Sequence, residues 1–179
     1  MEKLAAILVV DDKPDVHQAV KLALEPHAAR IDAVSLPQEL TAALAAARFD
    51  CVLLDMNFAP GERSGREGMA SLDTIRAADP ALAVVFMTAY GAVSLAVESL
   101  KRGADDFLLK PWRNDALVAA VREAAARTRA RREGTKLDTL ERSAIAGALE
   151  RHDGNIARAA ASLGLSRPAL YRRMARHGL

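Results

Sequence analysis

The sequence predicts an α/β fold, a five-stranded doubly wound parallel sheet followed by a small all-α domain. Three observations lead to this fold class. Apolar segments alternate with helical segments five times over residues 4–130, which is the pattern of a parallel sheet with crossover helices. The strongest of these segments are apolar at every position, as in strands that are covered on both faces. Residues 137–179 lack such segments and are rich in arginine.

The predicted strands are short runs in which aliphatic residues dominate, and such residues favour an extended backbone. The second run is the weakest, because it contains charged residues. In chain order the strands are Ala6–Val10, Arg30–Val34, Cys51–Leu54, Ala83–Met87 and Phe107–Leu109.

The segments between the strands carry leucine, valine and alanine at the spacing of amphipathic helices. A last helix, from about Asp115 to Ala130, has Leu117, Val121 and Ala124 along one stripe. The helices before it are Val16–Leu24, Leu40–Ala47, Met69–Ala77 and Val93–Arg102.

The net charge of the 179 residues is only +2, but the charge is unevenly distributed. Residues 1–128 hold 14 Lys and Arg against 18 Asp and Glu, whereas residues 129–179 hold 11 against 5. An acidic module followed by a basic one indicates that the second module faces a polyanion. A solvated basic helix would give the same charge. The apolar content of 51% excludes a wholly disordered chain.

The sequence also bears on the compartment. No apolar run approaches the roughly 18 residues of a membrane span. Asp11 and Asp12 come too early for the apolar region of a secretory signal. The single cysteine, Cys51, excludes an intramolecular disulfide and indicates a reducing environment. We therefore expect a cytoplasmic protein with no membrane partner.

A polar side chain follows each of four predicted strands. Asp11 and Asp12 follow the first, Asp55 the third, Thr88 the fourth and Lys110 the fifth. Parallel strands place their carboxyl ends on one edge of the sheet, where open α/β folds bind ligands. The pattern therefore predicts that three carboxylates, a hydroxyl and an ammonium converge there.

Such a cluster has a defined chemistry. Neighbouring carboxylates raise one another's pKa values, and an oxygen-bound Mg²⁺ relieves the repulsion. A carboxylate beside Mg²⁺ and a lysine can attack a phosphoryl group, because both cations neutralise the transferring oxygens. Each residue alone has a plainer interpretation, as a helix cap or a surface charge. The joint pattern favours a phosphoryl site.

The order and spacing of these residues, with Ala89 after the threonine and Pro111 after the lysine, resemble the receiver domain of two-component response regulators. The resemblance covers about residues 4–126. It implies a flavodoxin-like sheet of strand order 2-1-3-4-5. It also implies that a sensor histidine kinase transfers a phosphoryl group to Asp55.

The same resemblance implies a Mg²⁺ site. Asp12 and Asp55 would hold the ion together with the backbone carbonyl of Asn57. Asp11 would support the metal through a water molecule. These assignments follow the positions of the family's motif.

The resemblance also implies a switch. Lys110 would pair with the phosphoryl oxygens, and the Thr88 hydroxyl would swing towards them. Phe107 occupies the switch-aromatic position, although it is also a plain core residue of the last strand. The Lys110–Pro111 bond is commonly cis in this family, and X-Pro bonds tolerate that form.

The basic module is predicted to be a separate domain. We expect a receiver domain over residues 1–127, a linker over residues 128–136 and a second domain over residues 137–179. The linker is basic and contains Gly134, a helix breaker.

The second domain is predicted to hold three helices. Leu137–His152 has an apolar stripe. Asn155 can cap a second helix, which ends near Leu163, and Ser166 can cap a third. Pro168 is tolerated in the first turn of that third helix.

A short helix, a glycine turn and an arginine-rich helix fit a DNA-reading helix-turn-helix. A small dimerisation domain with a solvated basic face is the plainer alternative. Residues 137–179 resemble the Fis-type domain that ends NtrC-type activators. This resemblance implies that Leu137–His152 supplies a dimer interface. The residues that it places against DNA are Ser166, Arg167, Ala169, Arg172 and Arg173.

We therefore predict a transcriptional response regulator. Its partners would be a sensor histidine kinase and double-stranded DNA, and it would be a homodimer at least when phosphorylated. The alternative is a phosphate sink or a protein-binding adaptor whose helical tail only dimerises. No GxxxxGK[ST] phosphate loop occurs in the chain. We therefore expect no ATPase, and an Asp55 that only accepts a phosphoryl group and loses it by hydrolysis.

Overall fold

The protein has two compact units, residues 1–130 and residues 131–179. The structure is a computed structural model and describes residues 4–58, 64–89 and 93–179. In this described part, none of the helices combines the length and the apolar character that crossing a membrane needs.

The first unit is built on a parallel sheet of five strands in the order β2-β1-β3-β4-β5. This confirms the predicted fold class and strand order. The strands are β1 Leu4–Val10, β2 Ala28–Val34, β3 Cys51–Asp55, β4 Ala83–Ala89 and β5 Asp106–Lys110.

Helices flank this sheet. A single 3-10 turn, Pro37–Glu39, precedes the second helix. The helices are α1 Pro14–Leu24, α2 Leu40–Ala46, α3 Arg66–Ala78, α4 Val93–Lys101 and α5 Asn114–Arg151.

Successive residues of the central strands point to opposite faces of the sheet, and both faces are covered. On one face, Val9 and Leu53 pack with residues of α1 and α5. On the other face, Leu8 and Leu54 pack with residues of α2 and α3. Burying an aliphatic side chain of this size contributes about 1.5–3 kcal/mol. This double coverage explains why the strands are apolar at every position, and it fixes the edge where they end.

The predicted linker is helical. Residues 128–136 lie inside α5, and the boundary between the two units falls after Ala130 in the same helix. Gly134 therefore does not end a helix. A glycine inside a helix costs only about 1 kcal/mol relative to alanine, which favourable neighbours such as Arg131 and Arg132 can offset.

Thr128 shows that the first unit extends beyond residue 127. Its side chain is fully buried. The Thr128 hydroxyl donates to the carbonyl oxygen of Asp50 at 2.7 Å and accepts from the Ala83 N–H at 2.8 Å. The residue therefore joins α5 to the start of β4 within the first unit, which extends to Ala130.

We expect Thr128→Val to lower the free energy of unfolding of the first unit by about 1–3 kcal/mol, because the buried Ala83 N–H loses its acceptor. Urea unfolding followed by the fluorescence of Trp112, the only tryptophan, measures the change. Thr139→Val is the matched control, since within the described part of the chain that exposed hydroxyl bonds only the Thr135 carbonyl of its own helix. Equal effects of the two changes would contradict the role of Thr128.

The second unit is a three-helix arrangement around a small apolar core. Its helices are the later part of α5, α6 Ile156–Ser162 and α7 Arg167–His177. The buried residues are Ile145, Ala148, Ala159, Ala160 and Leu170.

Both predicted helix caps of this unit are present. The Asn155 side-chain oxygen accepts from the Arg158 N–H at 3.1 Å. The Ser166 hydroxyl accepts from the Ala169 N–H at 3.3 Å. Between α6 and α7, Gly164 has a φ of 66°, a left-handed conformation that favours glycine. The arrangement is a helix-turn-helix with α7 as its second helix.

Candidate functional site

Three of the predicted site residues meet at the carboxyl edge of the sheet. Asp11 follows β1, Asp55 ends β3 and Lys110 ends β5. The Lys110 ammonium donates to Asp11 Oδ2 at 2.6 Å and to Asp55 Oδ1 at 2.7 Å. One cation therefore bridges two carboxylates that come from different strands.

Burial makes this bridge electrostatically important. Asp11 is fully buried, Asp55 is 4% exposed, and the Lys110 side chain is 15% exposed. Burial raises the pKa of Asp55, the hydrogen bond and charge of Lys110 oppose this rise, and the charge of Asp11 adds to it. Buried charges are costly unless they are paired. Lys110 is thus the main compensation for both carboxylates.

Asp12 adds a third carboxylate to the cluster. Oxygen atoms of Asp11, Asp12 and Asp55 lie within 4.8 Å of one another. Asp12 Oδ1 is buried and has no hydrogen-bond partner among the described residues, and the Lys13 ammonium lies 3.8 Å from it. A divalent cation that prefers oxygen ligands, such as Mg²⁺, fits this donor set and would give the orphaned oxygen a partner.

The segment after Asp55 is held by close packing. The Asn57 side-chain oxygen accepts from the Gly65 N–H at 2.8 Å. The Gly68 N–H donates to the Met56 carbonyl at 3.3 Å, and a Cβ at position 68 would lie only 2.7 Å from that carbonyl oxygen. Gly68 therefore lets α3 approach the backbone beside Asp55. No sequence pattern singled out this glycine.

The other predicted switch residues lie on β4 and β5. Thr88 is buried and pairs in register with Leu109. Phe107 is partly buried and packs against the apolar cluster on the α2 and α3 side of the sheet. The Lys110–Pro111 peptide bond is cis.

This geometry can bind a divalent cation and a phosphoryl group together. The carboxylate of Asp55 is a potential nucleophile, with an ammonium already in contact with it. The cation and Lys110 would both act on the negative charge of an incoming phosphoryl group.

The predicted DNA-binding residues at the start of α7 and within it differ in their surroundings. Arg167 and Arg172 are exposed, and neither has an ion-pair partner in the part of the chain that the structure describes. Ser166 caps the helix, and Ala169 is half-buried. Arg173 differs, because its guanidinium forms an ion pair with Glu141 of α5 at 2.9 Å.

Thr128 and Glu141 are polar residues with structural roles that the sequence patterns did not indicate. Thr128 could have been found, since it continues the stripe of Leu117, Val121 and Ala124 at helical spacing. Glu141 could not, because its partners in α7 lie more than 30 residues further along the chain.

Comparison with known proteins gives two family matches. Residues 7–122 match the model described as the response regulator receiver domain. Residues 136–177 match the model described as the Fis family of bacterial regulatory proteins. Residues 123–135 separate the two matches, which leaves no room for a domain between them.

Relatives and solved structures agree with these matches. The chain is 34% identical to the nitrogen assimilation regulatory protein NtrX of Azorhizobium caulinodans over 75% of this chain and 29% of that one. It is 45% identical to the transcriptional regulatory protein ZraR of Escherichia coli over 45% of this chain and 17% of that one. The chain thus spans less than a third of the length of these relatives.

A solved structure resembles the first unit. The receiver domain of a response regulator from Bacteroides fragilis superposes with a TM-score of 0.62 and 38% identity, over 69% of this chain and 98% of that chain. The sheet order, the clustered carboxylates and the receiver match over residues 7–122 agree. The chain therefore belongs to the response regulator receiver family, with a Fis-type helix-turn-helix at its C-terminal end.

Proposed function

We propose that the chain is a phosphorylation-gated transcription factor that receives its phosphoryl group on Asp55 from a sensor histidine kinase. The observation that carries this proposal is the contact of the Lys110 ammonium with both Asp11 and Asp55 beside the orphaned oxygen of Asp12. Response regulators with a receiver and a helix-turn-helix join these two activities in one chain.

Asp12, Asp55 and the backbone carbonyl of Asn57 would hold Mg²⁺, and Asp11 would support it through water. When bound, the ion neutralises charge on the phosphoryl oxygens. Asp11 has a second task in this arrangement, because its buried carboxylate anchors Lys110. That contact keeps the ammonium next to Asp55 before any phosphoryl group arrives.

An oxygen of Asp55 attacks the phosphorus as the bond to the kinase histidine breaks, so the phosphoryl group ends on the chain itself. The chain is therefore a phosphoryl acceptor rather than a turnover enzyme, and hydrolysis resets it. The added group carries about −1.5 to −2 charges and three acceptor oxygens. Lys110 and the Thr88 hydroxyl would meet them.

The response to this charge is a change between two states of the receiver surface. Thr88 moves towards the phosphoryl group, and Phe107 of the neighbouring strand follows it inward. Shifting such an equilibrium from 1:99 to 99:1 needs about 5.5 kcal/mol of differential stabilisation. Several charge-assisted hydrogen bonds, at about 1.5–3 kcal/mol each, are enough.

In the second unit, α7 would enter the major groove, with Ser166, Arg167, Ala169 and Arg172 on its DNA side. Pairing of two chains would align two such helices. Two exposed leucines of α5 support pairing through this helix, Leu137 and Leu140, which are 67% and 57% exposed. Residues three apart lie on the same face of a helix, so the two leucines form one exposed apolar patch, and a small domain gains stability from oligomerisation.

Binding to a pool of genomic DNA fragments at one salt concentration tests the whole proposal. We expect selective binding that tightens when Mg²⁺ and beryllofluoride, a phosphoryl mimic, are added. Selective binding whose affinity is the same with and without the mimic would contradict the proposal that phosphorylation controls DNA binding. No selective binding in either state would favour the phosphate sink or adaptor.

Arg172→Ala should weaken binding to the selected fragments and flatten the salt dependence. The slope of log K against log salt should fall in magnitude by about 0.9, the contribution of one phosphate contact. Arg102→Ala, which removes an exposed arginine from the first unit, is the control. A slope equal to that of the control would remove Arg172 from the contact surface.

A further inference from the structure

Glu141 accepts hydrogen bonds or ion pairs from three side chains of α7. Its Oε1 pairs with Arg173 at 2.9 Å, and its Oε2 accepts from His177 Nε2 at 2.8 Å and from Arg176. Arg176 also lies 3.7 Å from Asp138, one turn earlier on α5. We call Glu141, Arg173, Arg176 and His177 the Glu141 cluster.

The cluster is anionic at its centre under ordinary conditions. The hydrogen bond from His177 and the charges of Arg176 and Arg173 lower the pKa of Glu141. The carboxylate is only partly exposed, and the His177 side chain is 8% exposed. Both carboxylate oxygens are occupied by these side chains. Asp138, Glu141 and His177 could also offer ligand atoms to a metal, but both Glu141 oxygens already have partners in α7.

The cluster divides the four arginines of α7 into two pairs. Arg173 and Arg176 are bonded to Glu141, whereas Arg167 and Arg172 have no ion-pair partner among the described residues. Affinity for DNA of any sequence rises with each phosphate that a free cation neutralises. Discrimination depends on the ratio of specific to non-specific affinity.

We propose that Glu141 determines specificity in the DNA-binding unit by withholding Arg173 and Arg176 from DNA phosphates. Arg167 and Arg172 remain available to contact the site, and the affinity for arbitrary DNA stays low. This inference rests on the DNA-binding function proposed above. It also revises the sequence-based expectation for Arg173, which becomes a partner of Glu141 instead of a DNA contact.

The test is binding of the full chain to a duplex of random sequence across a salt series. Glu141→Gln should tighten this binding several-fold and steepen the slope of log K against log salt by about 0.9–1.8, one or two phosphate contacts. The control is Glu150→Gln, which removes the same charge from an exposed position of the same helix that has no ion-pair partner among the described residues. A slope no steeper than that of the control would overturn the proposal.

Arg173→Ala provides a second test, and its first part, in the otherwise unchanged chain, does not need the Glu141 variant to fold. In the otherwise unchanged chain, this substitution should leave the slope unaltered, because Arg173 is already bonded to Glu141. In the Glu141→Gln background it should lower the slope by about 0.9. A loss of slope in the unchanged chain would show that Arg173 contacts DNA despite Glu141, and would overturn the inference. Circular dichroism of each variant reports whether its helices are intact.

The two proposals fail in different ways. If the unchanged chain binds no duplex even at low salt, the proposed DNA-binding function is wrong. The unchanged chain could instead bind DNA while Glu141→Gln fails to steepen the salt slope and Arg173→Ala lowers it. The DNA-binding function would then stand, and only the role of Glu141 would be wrong.

Discussion

A chain with Asp55→Asn should take up no phosphoryl group from acetyl phosphate in the presence of Mg²⁺, whereas the unchanged chain should be labelled. The amide has nearly the same shape as the carboxylate but is not a nucleophile. The fold should survive, because burial and Asp11 both disfavour the charge of Asp55. Lys110 keeps its contact with Asp11 in the variant.

Mass spectrometry of the intact protein measures the uptake. The control is Asp15→Asn, which removes an exposed carboxylate from the first turn of α1. We expect it to be labelled like the unchanged chain. Stoichiometric labelling of Asp55→Asn would show that another residue is the phosphoryl acceptor.

Lys110→Met should lower the free energy of unfolding at neutral pH by about 3 kcal/mol, the usual effect of leaving a buried charge without its partner. The ammonium is the shared partner of Asp11 and Asp55, and both carboxylates are buried. Methionine fills a similar volume without the charge, so the loss reports electrostatics rather than a cavity.

The pH and Mg²⁺ dependence of the stability lost in Lys110→Met identifies the cause of that loss. Without Lys110 the pKa of Asp55, already raised by burial, should rise further. The destabilisation is greatest above that pKa and diminishes as the pH falls through it, because a protonated acid needs no counter-charge. Added Mg²⁺ should also recover stability, since it binds the folded carboxylates.

Urea unfolding followed by Trp112 fluorescence, at two pH values and with or without Mg²⁺, gives these differences. Lys101→Met, which removes an exposed lysine at the end of α4, is the control and should be nearly neutral. If the free energy of unfolding lost in Lys110→Met depended on neither pH nor Mg²⁺, Lys110 would stabilise the fold by packing and not by its charge.

The strands could be predicted because their pattern is local. Cys51–Leu54 is apolar throughout, and β3 is buried at every position and ends one residue later. The second strand was weak in the sequence because β2 is an edge strand, where Arg30 and Asp32 form an exposed ion pair at 2.6 Å. Edge strands face solvent on one side, so their apolar signal is diluted.

Helix ends were harder to predict than strands. Gly134 suggested a break, but α5 continues through it to Arg151. A single glycine shifts the helical free energy by about 1 kcal/mol, less than the surrounding turns contribute together. The end of a helix thus depends on the helical free energy summed over many residues, and a single residue type does not determine it.

For the candidate site, the grouping of residues could be predicted from the sequence, but their side-chain contacts could not. Asp11, Asp55 and Lys110 could be grouped from the sequence because sheet topology alone brings parallel strand ends to one edge. That Lys110 would bridge both carboxylates depends on side-chain positions, and so does the pairing of Glu141 with α7. Such contacts arise from how helices and strands pack, and they leave no periodic trace along the chain.

The positions of the site residues along the chain determine the order in which they appear during synthesis. Asp11 emerges first on a central strand, and Lys110 emerges about a hundred residues later on the edge strand β5. Domains fold as units once their residues have left the ribosome. A nascent chain that stops before β5 has its carboxylates but lacks the ammonium that balances them. The cluster of carboxylates and ammonium is therefore complete only once β5 has been added.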